Sequence, residues 1–340
     1  MNALFMLRVV AMLAAGCLAA DAPAGEKDLT KIKGPDACEE CHKDEVKVWK
    51  ETKHAKTFTE LTQNKDAKKI AEKMEVKRIK SDSLCMNCHF TNEKKDAELK
   101  AIAGVSCESC HGPSRDWVDT HGDYGGKGVK KEQESPEHKA QREKQIAQSD
   151  MILPKDIYAL ASNCYECHLV PKEKLVNVGE HTAGSKFELV SWSQGDVRHN
   201  FYRSASGKDN ELSSPPRKRL LYVIGQALDL EHSLRGVSKA TEKATYAVQM
   251  AKRVKAAVER LKAVDAQVSM PEVKEMVTAG DAADLKLNNE ANLKAAADKV
   301  AAAAKKFVGQ YDGSTLAAID SLLPGESQYK RNTDKTEIIR

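Results

Sequence analysis

The sequence predicts a mainly α-helical protein in two parts, and three observations support this prediction. Residues 25–206 carry four copies of Cys-x-x-Cys-His, joined by polar loops rich in Lys, Gly and Pro. From Arg217 onward, apolar residues recur at helical spacing and cysteine is absent. No segment shows the two-residue alternation typical of a strand. We therefore expect a first domain with little regular strand, followed by a helical bundle.

The four motif copies share one spacing and indicate one kind of chemistry. The two thiols of such a motif form thioether bonds to one haem, and the adjacent His is the proximal ligand of its iron. A zinc site gives no reason for a His after every second Cys. A disulfide framework would not be expected to repeat one gap without variation. The sequence therefore predicts four covalently bound haem c groups, held by Cys38–Cys41–His42, Cys85–Cys88–His89, Cys107–Cys110–His111 and Cys164–Cys167–His168.

The positive net charge of the chain does not by itself indicate a nucleic-acid partner. The formal net charge is +4 for 340 residues, and only 5% of the residues are aromatic. Four haems would add about eight propionate carboxylates, which makes the loaded protein neutral or mildly acidic. We infer no nucleic-acid partner. The low aromatic content fits a domain whose porphyrins supply large apolar surfaces.

Residues 1–24 predict an export signal, because Arg8 precedes a short apolar run from Val9 to Ala20. Export to the periplasm fits covalent haem attachment. Cys17 lies in a segment similar to a bacterial lipoprotein box, which predicts a lipid anchor to the membrane. The alternative is that Cys17 is discarded with the signal.

The predicted boundaries are a signal at 1–24, a tetrahaem domain at 25–206, a helical bundle at 207–325 and a frayed polar tail at 326–340. Ser213–Ser214 before Pro215–Pro216 predicts a helix start. Further helices are expected over 240–268, 282–308 and 314–322, with a break at Met270–Pro271. Each helix has an apolar side that the others can cover, so we expect the first domain to keep its haems without the bundle.

Six histidines lie outside the motifs, and four of them are candidates for the second axial ligand of an iron. His54 follows His42 by one helix of about 18 Å, whereas two ligands of one iron must lie within about 4 Å. His54 must therefore serve a haem other than that of its own motif. His138 and His232 are expected at the surface or at a helix cap. The four candidate ligands are His54, His121, His181 and His199.

Two segments make the first domain similar to the tetrahaem cytochrome c-554 family. One is Cys38-Glu-Glu-Cys-His42 with Trp49-Lys-Glu-Thr-Lys-His54 downstream. The other is Gly104-Val-Ser-Cys107-Glu-Ser-Cys110-His111-Gly112-Pro113, followed by His121. The order and number of motifs also agree, and the similarity runs from about Asp36 to Leu169. The family is known for electron acceptors of hydroxylamine oxidoreductase in ammonia oxidisers.

The resemblance implies distal ligands for some of the haems. It implies that His121 serves the first haem and His54 the third, and that the second haem lacks a distal protein ligand. After Leu169 the sequence departs from the family pattern, and we choose His199 over His181 for the fourth haem. If both histidines ligate, the second haem is closed as well.

We therefore expect a periplasmic or membrane-tethered tetrahaem cytochrome that transfers electrons between a donor and an acceptor protein. One alternative is a small haem enzyme acting on nitrogen oxides or hydroxylamine at an open iron. A second alternative is a structural conduit within a multihaem assembly. No set of convergent catalytic side chains can be assembled from the sequence, so no catalytic residue is assigned and a carrier is favoured over an enzyme.

Overall fold

The computed structural model describes residues 27–330. The signal predicted at 1–24 and the lipid-anchor residue Cys17 lie outside the described residues. The described part is mainly α-helical, as predicted. Its helices and strands are α1 (Asp36–Glu39), α2 (Lys43–Glu51), α3 (Lys53–Glu60), α4 (Lys65–Lys73), α5 (Ser83–His89), β1 (Phe90–Lys95), β2 (Glu98–Gly104), α6 (Cys107–His111), α7 (Pro136–Ala147), α8 (Ile157–His168), α9 (Glu173–Asn177), α10 (Leu189–Ser193), α11 (Pro215–Ser238), α12 (Thr245–Val268), α13 (Pro271–Asp281) and α14 (Glu290–Gln310).

Short helices carry the cysteine motifs. The second and fourth motifs lie at the C-terminal ends of α5 and α8, and the third fills α6. The first motif begins in α1 and ends just before α2. Several of these helices start at a capping side chain, such as Asp82 for α5 and Asp156 for α8. Each motif therefore has one helical turn that brings both thiols and the following His to one side.

One antiparallel hairpin, formed by β1 and β2, was not expected from the sequence. The first three residues of β1 are all buried and the next three are increasingly exposed. The strand therefore has no two-residue alternation of burial that the sequence could display. The hairpin matters because β2 leads directly into the third motif.

The C-terminal helices confirm some predicted limits and correct others. α11 begins after Ser214 with proline in its first turn, and Met270 separates α12 from α13, as predicted. The helix expected over 282–308 begins later, as α14, because residues 282–289 form a turn. A further helix, α13, precedes this turn and was not predicted. Residues Ser314–Leu322 form a 3₁₀ helix. Short connections make consecutive helices of the four-helix bundle neighbours.

Helix α11 is covered on both sides. It packs against α12 and α14 in the bundle and against α8 and α10 of the first domain. One continuous apolar core runs through all of these helices, from Ile157 to Tyr329. At Gly225, an added Cβ would lie 2.9 Å from the Cβ of Leu189 and 3.2 Å from the Tyr165 hydroxyl. The expectation of a self-contained bundle is therefore wrong, because α11 completes the core of the first domain.

The first residues of the predicted tail are packed. Tyr329 is buried, the backbone N–H of Lys330 donates to Ser191 O at 3.0 Å, and that of Asp196 donates to Lys330 O at 3.0 Å. These bonds fix the chain against α10, so fraying does not begin at residue 326. Residues 331–340 lie outside the described range.

Across residues 27–330, none of the helices is both long enough and apolar enough to cross a membrane.

Deleting all residues after Ser214 should disrupt the first domain. The deletion would expose Ile157, Tyr165, Leu189 and Val190, and each such side chain contributes about 1.5–3 kcal/mol by burial. The sum is comparable with the whole stability of a typical domain, about 5–15 kcal/mol. We expect loss of helical circular dichroism and of haem content.

A chain ending at Lys330 is the matched control and should retain both signals. Full haem content and unchanged helicity in the shorter fragment would contradict the shared core.

Candidate functional site

Every motif histidine faces one histidine from outside the motifs. The ring centroids of the four pairs lie between 6.1 and 6.4 Å apart. Each pair joins segments that are distant in sequence. The pairs are His42–His121 at 6.1 Å, His54–His168 at 6.1 Å, His89–His181 at 6.4 Å and His111–His199 at 6.3 Å.

This spacing fits one metal ion between the two rings of a pair. Two metal–nitrogen bonds of about 2 Å, plus roughly 1 Å from each nitrogen to its ring centre, give centroids about 6 Å apart. Rings that stack directly on each other can also have shorter centroid distances, but the centroids of all four pairs are separated by nearly the same distance. The repeated distance therefore fits axial ligation of an iron from both sides.

Hydrogen bonds orient most of these rings. In four of them Nδ1 lies within 3.1 Å of a backbone carbonyl, which can only accept, so Nδ1 carries the proton. The protonated Nδ1 leaves Nε2 as the free ligand atom, the arrangement usual for metal-bound histidine. The Nδ1 atom of His168 instead meets the Ser185 hydroxyl at 3.1 Å. The four carbonyls belong to Ile152 for His111, Val118 for His121, Thr182 for His181 and Val197 for His199.

Burial keeps several of the rings neutral. It lowers the pKa of His89 to about 4 and that of His168 to about 3, with smaller contributions from neighbouring imidazoles. Burial likewise lowers the pKa of His54. An imidazole must be neutral to bind a metal, so these sites favour the ligating form.

The cysteines of different motifs lie next to one another. The thiol of Cys38 lies close enough to that of Cys107 to raise its pKa, and the thiol of Cys88 raises the pKa of Cys167 in the same way. The Asn163 side chain, next to the fourth motif, donates to Cys110 O at 3.1 Å. These contacts arrange the four sites in a row, in the order first, third, fourth and second.

A cavity of about 2860 Å³ lies among these residues. Single-ligand pockets usually measure about 300–1,000 Å³, so the space is several times larger. His54, His89, His168 and His181 all line it. The cavity therefore offers room for several large groups at the second and fourth sites and beside the third.

Two buried indole N–H groups have no partner within residues 27–330. Trp117 packs edge-on against His121 with centroids 5.2 Å apart, and Trp192 packs against His168 at 4.9 Å. The Nε1 atom of each is buried and unsatisfied. A buried donor normally has an acceptor, and a haem propionate beside the ligand histidine would supply one.

Two arginines on the cavity wall also suit a carboxylate. Burial and the neighbouring Arg203 guanidinium lower the pKa of Arg217 to about 10. Arg217 Nη2 donates to Pro154 O at 2.9 Å, and neither arginine forms an ion pair in the described part of the chain. Together with the orphaned indoles, these cations fit haem at the motifs.

His54 lies at the fourth motif. It is in the first turn of α3, which packs on β2 and α5, and its partner is His168. His54 does not face His42, although the chain between them forms two helices, α2 and α3, and not the single helix that the sequence predicted. The assignment to the third haem, implied by the resemblance, differs from the structure, because α3 lies beside the second and fourth motifs.

The position of His199 also differs from the sequence-based choice, whereas that of His181 matches the alternative in which the second site is closed. His199 faces His111 of the third motif, whereas we had assigned it to the fourth. His181 faces His89 of the second motif. The segment after α9 therefore reaches the second site, and the segment after α10 reaches the third.

The two remaining histidines have other partners. His138 bonds through Nδ1 to Glu134 at 2.8 Å and is partly exposed, in line with a surface role. His232 does not lie at the surface or at a cap. Its Nε2 is 3.1 Å from the Ser162 hydroxyl, in the contact between α11 and α8. The prediction for His232 is wrong because α11 is buried on both sides.

Comparison with known proteins finds similarity in the part of the chain that carries the motifs. Residues 37–112 match the family model described as cytochrome c554 and c-prime. This match lies in the N-terminal half of the chain, which is similar to the cytochrome c-554 family. The chain is 30% identical over 160 residues to cytochrome c-554 of Nitrosomonas europaea, a match covering 45% of this chain and 60% of that relative. No solved structure matches the chain.

Similarity to the cytochrome c-554 family, together with the repeated motif, supports a c-type cytochrome with covalently bound haem c. The family match ends at residue 112, so the segments that supply His121, His181 and His199 lie outside it.

Sequence reasoning missed Ser185, Trp192 and Arg217. Their residue types carry no motif, and only the folded chain brings them beside His168 and the cavity wall.

Gly104 allows α3 to lie close against β2. An added Cβ would come within 2.2 Å of His54 O, a backbone atom that cannot yield. We expect Gly104→Ala to cost about 1–3 kcal/mol as an overpacked site and to displace His54 from His168. In the haem-loaded protein, electron paramagnetic resonance should show loss of one low-spin iron signal.

Gly325→Ala is the matched control, because nothing lies within 4 Å of its added Cβ. Four intact low-spin signals in Gly104→Ala would show that the close approach does not position His54.

Proposed function

We propose that this protein is a periplasmic electron carrier with four haem c groups, whose irons each have two histidine ligands. The observation that carries the proposal is the set of four histidine pairs with one common spacing. Each pair contains one motif histidine and one histidine from elsewhere, as two-sided ligation requires. Haem c, when bound, supplies reversible one-electron oxidation and reduction at iron.

The residues have distinct roles in this proposal. The eight motif cysteines attach the haems, and the four motif histidines are the proximal ligands. The distal ligands are His121 for the haem on Cys38 and Cys41, His181 for that on Cys85 and Cys88, His199 for that on Cys107 and Cys110, and His54 for that on Cys164 and Cys167.

The pairing favours a carrier over an enzyme for nitrogen oxides or hydroxylamine. Such an enzyme needs one iron position free for the substrate, and the second site was the candidate. His181 lies opposite His89 at that site, and its Nδ1 is held by Thr182 O at 3.0 Å. A ring oriented in this way competes with any small ligand for the iron.

The row of sites supports transfer across the protein. Contacts between motif cysteines put the first and third sites side by side, and the second and fourth likewise. Asn163 connects the third to the fourth. At the first end of the row, the His42 side chain is 44% exposed, so we propose that a redox partner approaches there. Carriers commonly use such small, transient interfaces.

The location in the periplasm is proposed from residues 1–24 and from the chemistry of haem attachment. Attachment of a lipid at Cys17 would tether the carrier to the membrane. The C-terminal helices contribute to the haem domain, because α11 covers α8 and α10. This internal role supports a carrier more than a conduit that assembles through the bundle.

The mature protein should have the mass of the chain plus four haems, with all eight motif cysteines in thioether bonds. The reason is the repetition of the complete motif, with each copy paired to a second histidine. Intact-protein mass spectrometry measures the number. A mass short of four haems would remove the basis for the row of sites.

The reduced wild-type protein should not bind carbon monoxide, because both axial positions of each iron are occupied. His181→Ala should open the haem on Cys85 and Cys88, and carbon monoxide should then bind at about one site per chain. His138→Ala is the control and should remain unreactive, since His138 lies opposite no motif histidine. Binding of one carbon monoxide per wild-type chain would favour the open-haem enzyme instead.

A further inference from the structure

The proximal histidine of the fourth site is held at two points by one residue. The Nδ1 atom of His168 lies 3.1 Å from the Ser185 hydroxyl, and the Ser185 backbone N–H donates to His168 O at 3.0 Å. The other proximal histidine with a comparable bond, His111, uses a backbone carbonyl. The fourth site therefore depends on the placement of a single side chain.

The neighbouring glycine makes this close contact possible. Gly184 has a φ of +87°, and an added Cβ would lie 2.9 Å from His168 O. Other residues rarely adopt this conformation and would also be too large. The bend at Gly184 turns Ser185 toward His168, but a bend in an irregular segment needs a further contact to fix it.

Arg253, from the C-terminal bundle, supplies that contact. It lies on α12, and its Nη1 donates to Ser185 O at 2.9 Å. Its Nε donates to Asp229 Oδ1 on α11 at 3.0 Å, and Asp229 is only 5% exposed. A guanidinium offers donors in a fixed fork, so these two bonds fix its position. Arg260 lies 3.6 Å from the other carboxylate oxygen of Asp229, so Arg253 and Arg260 together compensate the negative charge of Asp229.

We propose that the C-terminal bundle sets the reduction potential of the fourth haem through Arg253, which positions Ser185 and thereby the proximal ligand His168. The inference rests on the proposed function, because it takes His168 to be an iron ligand. Arg253 is a positioning residue, since it contacts neither the ligand ring nor the iron.

The two contacts act on the potential in opposite directions. A hydrogen bond accepted from Nδ1–H makes the imidazole a stronger donor, which favours ferric iron and lowers the potential. A buried positive charge near the site disfavours the additional charge of ferric iron and raises the potential. Arg253 is among the charges that act on His168 in its buried surroundings. The signs allow the two contacts to be tested separately.

The test is a spectroelectrochemical titration of the four-haem protein, combined with electron paramagnetic resonance of each iron. Ser185→Ala should raise the potential of one haem and alter the resonance of that iron. Arg253→Gln loses the contact and the charge together, so it should alter the same resonance and give that haem a lower potential than Arg253→Lys does. Arg253→Lys keeps the charge but loses the fork, so it should alter the resonance and raise the potential in the direction of Ser185→Ala. It also gives a readout if Arg253→Gln does not fold.

Arg235→Gln is the matched control. Arg235 forms ion pairs with Glu231 and Asp298 on the bundle but does not contact Ser185. It should leave all four potentials unchanged. Equal changes in the iron resonances of Arg235→Gln and Arg253→Gln, or unchanged potentials in Ser185→Ala and Arg253→Lys, would overturn the inference.

The outcomes separate this inference from the proposed function. If the wild type stays closed to carbon monoxide while the Ser185 and Arg253 variants keep wild-type potentials, only the positioning role fails. If the wild type binds carbon monoxide at the haem on Cys164 and Cys167, two-sided ligation fails at that site and the proposed function fails with it.

Discussion

The rest of the structure depends on one constraint, the separation of about 6 Å between each motif histidine and its partner. No pair is local: His42 faces a residue after the third motif, and His54 faces the fourth motif. Two-sided ligation would turn each pair into a cross-link that closes a long loop. Such links reduce the freedom of the unfolded chain and couple metal binding to folding. A domain with few aromatic residues and short helices can be stable on this basis.

The same constraint explains why the protein needs its C-terminal helices. A segment that places ligands on several irons cannot also form long regular helices with a core of its own. The last helices of the first domain, α8 and α10, therefore expose apolar residues that α11 covers. Because α11 is buried on both sides, its polar side chains are buried as well. Asp229 and Glu231 are two of these, and each needs a partner. Asp229 meets this need with Arg253, and Glu231 with Tyr158 and Arg235. The same network reaches the fourth site.

The sequence predicted those features that are local in the chain. The motif spacing predicted where haem would be attached, helical periodicity predicted α11 and α12, and a distance argument separated His54 from His42. It could not assign His54 to His168, because that pairing depends on how α3 packs against β2 and α5. It placed His232 at the surface because α11 looks like an ordinary amphipathic helix beside Glu231 and Ser233. The sequence did not predict the hairpin, because its first strand is buried at one end and exposed at the other and so shows no alternation of apolar and polar residues.

The orientation of the histidines bears on the kind of chemistry that the sites support. A ring whose Nδ1 donates to a backbone carbonyl loses that hydrogen bond when it swings away from the iron, at a net cost of about 0.5–1.5 kcal/mol. At two other rings, His89 and His168, burial lowers the pKa and so keeps the imidazole in its neutral, ligating form. Substrate turnover at an iron needs a ligand that leaves readily, whereas electron transfer needs ligands that stay in place in both oxidation states. The held, neutral rings meet the second requirement, and the proposed carrier role follows from that difference.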